Sequence, residues 1–309
     1  MKEYTAQEWL PSRSGLGESP IYRGADDVFF FVDIKNTLVH TVLVSEGWAG
    51  KHTMQLDEPI TRLNVVAGRT DVLAVQTRLG FALLDPVKGT FERIADVHHD
   101  DDAGLDQKVR MNDGGIDGRG RWWANTMDEN EQSKTGRLWC LENGKVKDVS
   151  SGERMVVPNG PVWSTDDKIM YVCNTAEGEI YQYDYDIETG AASNLRLFVQ
   201  LEEGAQPDGM AVDVESHIWV AANSKGKVIR YSPAGTAVAT VSVPGAKMTS
   251  CPAFGGNDMR TLFITSIADE GSTGNVYRVK VDVEGVPRNP YRSVGLGSIG
   301  SRDILKPKP

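Results

Sequence analysis

The chain has 309 residues, 40% of them hydrophobic and 25% charged, with a formal net charge of −10. The acidic balance excludes a phosphate-backbone binder, which needs a basic face, and leaves nucleic acid out of the expected partners. No apolar run reaches the length of a membrane span or a signal-peptide core, so no membrane partner and a cytoplasmic location are expected. Oligomeric state cannot be read from these features.

In chain order, the opening "KEYTAQEWL" is strand-like but isolated. After it come six strong apolar runs: "DVFFFVDI" from Asp27, "DVLAVQT" from Asp71, "RWWANTM" from Arg121, "KIMYVCNT" from Lys168, "HIWVAAN" from His217 and "TLFITSI" from Thr261. Their starts are spaced by 44, 50, 47, 49 and 44 residues. Five are followed by a second strand opening near a glycine ("GFALLDP", "GRLWCLEN", "GEIYQYDYD", "GKVIRYSP", "GNVYRVKV"), and the first has "NTLVHTVLV" in that place. A weaker third strand often follows, as in "FERIADV" or "AVATVSV". No long amphipathic helix is predicted.

A period of this size with about four short strands per unit is the signature of a β-propeller blade. One four-stranded sheet cannot bury both its faces, whereas blades around an axis bury each other's. The predicted fold is therefore all-β, a six-bladed β-propeller in a single domain over residues 1–309, in preference to a two-sheet sandwich. "KEYTAQEWL" has no blade of its own and is expected to complete the last blade beside "YRSVGLG", closing the ring. Trp122, Trp123, Trp163 and Trp219 lie in strands and are read as blade-packing residues. Cys140, Cys173 and Cys251, odd in number and without a C-x-x-C pair, predict reduced, mostly buried thiols. The acidic "HHDDDAGLDQ" lacks the glycine and glutamate spacing of a calcium loop and reads as a solvated loop. The five histidines show no ligand spacing.

Nine residues ahead of each strong run stands a residue of one phase: Glu18 in "GLGESP", Arg62 in "PITRL", Asn112 in "RMNDGG", Asn159 in "VPNGP", Asp208 in "QPDGM" and Pro252 in "SCPAF". Equivalent phase in a propeller means one ring at one end of the central channel. Asn or Asp in "PDG" and "NG" has a plain alternative role, bonding its own backbone in a turn. Glutamate has no such role, and the shared phase favours convergence. Two carboxylates and two amides on a narrow axis are costly unless paired, and a divalent cation relieves them. Their oxygens are hard donors, so Ca²⁺ is expected first, with Mg²⁺, Mn²⁺ or Zn²⁺ as alternatives. Arg110, two residues before Asn112, either points into the same mouth or pairs with an acidic neighbour.

These motifs resemble the senescence marker protein, gluconolactonase and luciferin-regenerating enzyme family, the regucalcin-like proteins. The resemblance rests on "LGESP", "RMNDGGIDGRGRWWANTM", "PNGPVWSTDDKIMYV", "YDYDIETG", "QPDGMAVDVESHIWVA" and "CPAFGG", in the family's order and spacing. It implies a six-bladed propeller with one catalytic divalent metal. Matched motif by motif, it assigns metal binding to Glu18, Asn159 and Asp208, and substrate contact to Arg110 and Asn112. Two positions depart from the pattern: Asn130, beside Glu129, stands where some members carry a substrate-contacting glutamate, and Asn174 stands at a usual aspartate. The expected activity is hydrolysis of a sugar aldonolactone, with the metal polarising the ring carbonyl and Asp208 taking a proton from water. A metal-dependent esterase or organophosphate hydrolase and a non-enzymatic calcium-binding regulatory protein are the alternatives. Which lactone is turned over is left open.

Overall fold

The computed structural model describes residues 1–150 and 154–292. Its strands form a six-bladed β-propeller; the helical segments among the described residues are single turns at Gly47–Gly50, Leu105–Gln107 and Thr175–Glu177. The innermost strands of blades one to six are Gly17–Arg23, Arg62–Val66, Val109–Ile116, Pro158–Trp163, Gln206–Val212 and Thr249–Gly255. Each predicted strong run is the second strand of its blade, antiparallel to the first.

Those second strands are apolar throughout because both their faces are covered. Successive side chains point to opposite sides of a sheet. Phe29 and Phe31 accordingly enter a cluster with Leu10, Phe263 and Val276 of blade six, while Phe30 and Val32 enter one with Leu63, Leu73 and Val75 of blade two. Trp122 packs toward blade two and Trp123 toward Trp163 of blade four. Six such clusters fill the six gaps between neighbouring blades, so the core is a ring of wedges. Cys140, Cys173 and Cys251 are free and buried.

The chain ends depart from the expectation in two respects. Gln7–Leu10 pairs with Val276–Lys280 as the outer strand of blade six, closing the ring as anticipated. Lys2–Thr5, however, runs parallel to Ala237–Ser242 as a fifth strand of blade five, so the opening segment is divided between two blades. Tyr291 of "YRSVGLG" bridges to Val66 in blade two and does not accompany the N-terminal strand. The reason is that the chain beyond Val276–Lys280 is bonded first to Val212 and Val214 of blade five and then to Val65 and Ala67 of blade two, which carries Tyr291 away from blade six. Residues 293–297 of the same motif lie outside the described residues. No helix among the described residues is long and apolar enough to cross a membrane.

Candidate metal centre

The inner strands deliver their side chains to the axis through a repeated irregularity. In five blades, two consecutive residues of the inner strand oppose one residue of the second strand: Ser19–Pro20, Asn112–Asp113, Gly160–Pro161, Asp208–Gly209 and Ser250–Cys251. Such bulges bend a strand and re-aim its side chains. Blade two keeps a regular register here, with Arg62 opposite Gln76, and reaches inward on the length of its arginine. The bulges require glycine where blades touch: a β-carbon on Gly209 would stand 2.3 Å from Cys251 Sγ, and Gly160 holds φ +88° against the Met210 side chain.

The resulting cluster is bound across blade boundaries. Asn112 Nδ2 donates to Asn159 Oδ1 at 3.1 Å and to Pro158 O at 3.0 Å. Asn159 Nδ2 donates to Thr175 Oγ1 at 2.9 Å, whose hydroxyl donates to Pro207 O at 2.6 Å. This relay turns the Asn159 carbonyl oxygen toward Asn112. Asn223 Nδ2 donates to Asp208 Oδ2 at 3.3 Å, and the Ser19 N–H to Glu18 Oε2 at 2.8 Å. Arg110 Nη1 donates to Asn112 Oδ1 at 3.0 Å and to Met111 O at 2.9 Å. Arg110 thus faces the mouth, and no ion pair to an acidic neighbour forms among the described residues. Asn159 and Asp208 are buried, whereas Glu18, Arg110 and Asn112 remain partly exposed, so the cluster opens toward the rim.

Sequence reasoning missed Asp113, Asn223 and Arg288. Asp113 is buried beside Asn112; its Oδ1 accepts from Arg62 Nη1 and its Oδ2 from the Gly160 N–H, both at 2.8 Å. The "ND" pair alone could not reveal it, because alternation lets only one of two adjacent residues face the axis and the bulge overrides that rule. The departures Asn130 and Asn174 lie apart from these bonds: the Asn130 N–H caps Asp128 Oδ1, and Asn174 Nδ2 donates to Glu177 Oε2. Asn174 Oδ1 is buried and has no partner.

Charge in this cluster is unbalanced. Burial first, then the Asp113 charge, pushes the Glu18 carboxyl up to about 7 against the pull of the Ser19 N–H, Arg62 and Arg288. Burial first, then Glu18, pushes Asp208 well above the ordinary carboxylate range, opposed by Asn223. Burial draws Arg110 below its usual value despite Glu131, Glu129, Glu18 and Asp208. Two desolvated carboxylates, of which Glu18 disfavours the charge on Asp208, fit a divalent cation of oxygen preference together with the Asn159 amide oxygen of the neighbouring blade.

A second group, Asp213, Glu215 and His217, has donor atoms near enough to share an ion. Its carboxylates are already taken. Arg230 Nε donates to Asp213 Oδ2 and Arg230 Nη2 to Glu215 Oε2, both at 2.7 Å, and Trp219 Nε1 adds 2.9 Å to Asp213 Oδ2. The same device recurs at Asp117, whose Oδ2 accepts from Arg121 Nε, Tyr185 Oη and Trp123 Nε1. Both are turns between the first two strands of a blade whose carboxylates are bonded by an arginine and a tryptophan.

Comparison with known proteins agrees with this architecture. Regucalcin of Oryctolagus cuniculus is 31% identical over 311 residues, covering 93% of this chain and 97% of that protein. A luciferin-regenerating enzyme structure superposes with a TM-score of 0.83 at 25% identity, covering 93% of this chain and 99% of its own. A regucalcin structure from Agrobacterium tumefaciens, described as a calcium-binding protein, gives 0.84 at 24% identity over 94% and 99%, a likeness of fold. Residues 16–268 match the SMP-30/Gluconolactonase/LRE-like region, and the chain belongs to that family.

Proposed function

We propose that the chain is a divalent-metal-dependent lactonase acting on sugar aldonolactones, with Glu18, Asn159 and Asp208 holding the cation. The observation that carries this reading is the pair of desolvated carboxylates Glu18 and Asp208, the charge on Glu18 raising Asp208 further, beneath a rim formed by Arg110 and Asn112. When bound, a cation of this kind supplies Lewis acidity to a carbonyl and lowers the pKa of water. The protein's own part is positioning and proton transfer. Asn223 donates to Asp208 Oδ2 and so orients the carboxylate that would hold the cation and take a proton from an attacking water. Arg110 is held at its Nη1 by Asn112 and Met111, so its other nitrogens are directed to substrate oxygens. Asn112 bridges the rim to Asn159 and would bind ring hydroxyls as it does so. Several donors at the mouth suit a polyhydroxylated ring better than an apolar ester. The family description includes gluconolactonase, which supports the same class.

The oxygen donor set is equally suited to calcium storage or signalling, a reading supported by the calcium-binding description of the Agrobacterium regucalcin. Proton release separates the two. Chelator-stripped protein, restored with Ca²⁺, Mg²⁺, Mn²⁺ or Zn²⁺ and given a panel of aldonolactones, aryl esters and phosphotriesters in weak buffer, is expected to release acid fastest with the lactones. Preference for an aryl ester or phosphotriester selects the esterase reading. Cation binding without turnover of any substrate selects the calcium-binding reading.

A further inference from the structure

Residues 284–292 leave blade six and cross the end of the channel opposite the rim. The Val214 N–H donates to Glu284 O and the Val286 N–H to Val212 O in blade five, while the Gly285 N–H donates to Met259 O in blade six. Asn289 Nδ2 donates to Ile116 O in blade three at 3.2 Å, and the backbone of Tyr291 bonds Val65 and Ala67 in blade two. A β-carbon on Gly285 would stand 1.9 Å from the Phe254 ring, so the crossing is packed tightly against the blades.

From this crossing Arg288 extends its guanidinium into the channel. Its Nη2 lies 3.3 Å from Pro252 O, 3.4 Å from Met210 O and 3.8 Å from Cys251 Sγ. Met210 stands two residues beyond Asp208 on the inner strand of blade five. Arg288 forms no ion pair among the described residues, and the nearby Arg62 repels it. Burial and that repulsion pull it down to about 10, which leaves it charged at neutral pH. A partly buried guanidinium facing another arginine is costly unless a negative field compensates. The negative field available is that of Asp113, and Arg288 in turn favours the ionised Glu18.

We propose that Arg288 is a resident countercharge for the metal centre, brought up from the far end of the channel by residues 284–292, and that it sets how tightly a divalent cation is held. The proposal rests on the reading of Glu18, Asn159 and Asp208 as cation ligands. With no cation bound, Arg62 is paired with Asp113, and Arg288, without an ion pair among the described residues, is the positive charge that favours the ionised Glu18. A bound cation is repelled by Arg288, so the fixed charge stabilises the empty centre and weakens the filled one. Arg288 touches no reacting atom and is a positioning residue.

The test is a calorimetric titration of Ca²⁺ and Mn²⁺ into chelator-stripped full-length protein at about pH 8, for the wild type and for Arg288→Met, Arg288→Gln and Arg288→Lys. The neutral variants are expected to bind at least about fivefold more tightly, and the lysine variant to stay within about twofold of wild type. The rise in melting temperature on saturation should be larger in the neutral variants, because their cation-free state is the one destabilised. A packing role alone would lower both melting temperatures equally and leave the dissociation constant unmoved. Unchanged or weaker binding in the neutral variants, or a lysine variant that behaves like methionine, overturns the proposal while the proposed function stands. Absence of cation binding in the wild type overturns both. A neutral variant that folds only with cation present supports the countercharge, and failure of both to fold even then overturns it.

Discussion

Glu18 makes the stability of the cation-free protein sensitive to pH near neutrality. Its carboxyl is raised from 4.5 to about 7, so between those values the native state holds a proton that the unfolded chain has released. Stability of the cation-free form therefore falls as pH rises through that window, and the full penalty is present above it. On the proposed reading, a cation held by Glu18 removes the penalty. Melting curves of stripped protein with and without saturating Ca²⁺ should show a larger stabilisation at about pH 8 than at about pH 6; equal shifts would contradict this account of Glu18. At the rim, Arg110→Ala removes a guanidinium whose Nη1 is fixed by Asn112 and Met111. Loss of hydrogen bonds from a charged donor costs ~1.5–3 kcal/mol, so kcat/KM for the preferred lactone should fall roughly 10–100-fold, read by steady-state kinetics. At this scale the sequence was informative where residues share a phase. Glu18, Asn112, Asn159 and Asp208 could be found by counting back from the apolar runs. Arg288 could not, because it comes from outside the repeat, and Asp113 could not, because it follows directly on a residue already assigned to the axis.

The inner strand with its bulge is the element that makes the site. It sets two adjacent residues against one on the neighbouring strand, and in blade five these are Asp208 and Gly209. Gly209 faces Cys251 so closely that a methyl group has no room. Gly209→Ala should therefore destabilise the fold by ~1–3 kcal/mol through overpacking, measured by denaturant unfolding, and should disturb cation binding through the neighbouring Asp208. A neutral effect on both would show that the bulge adapts freely. The second strands were legible for a complementary reason: covered on both faces by neighbouring blades, they read as continuous apolar runs with Val, Phe and Trp. The bulges left no such signal, since they are fixed by register between strands. The "PDG" and "NG" pairs mark the residues concerned without indicating that they face inward.

For the whole molecule, six wedges of apolar side chains hold the ring, and the last is completed by the first residues of the chain. Leu10, fully buried, joins Phe29, Phe31 and Phe263 where blade six meets blade one. Leu10→Ala should cost ~2–5 kcal/mol, as large-to-small core changes do, and should lower the melting temperature of the entire protein in one transition. A separate early transition confined to the chain ends would contradict the closed-ring account. That an N-terminal strand closes the last blade follows from the repeat, because six blades of four strands left the opening segment without a sheet. Its division between blades five and six does not follow, since strand-forming sequence carries no record of which edge it will find. The closed ring is also what brings six inner strands to one axis, so the site depends on closure as directly as the fold does. The measurement that tests the central claim most directly is lactone hydrolysis and bound metal determined together, for wild type and Asp208→Ala, after chelation and after restoring Ca²⁺. The account predicts acid release that appears only with the cation and falls ~10²–10⁴-fold in the variant. Full turnover by the stripped wild type, or by Asp208→Ala, would contradict it.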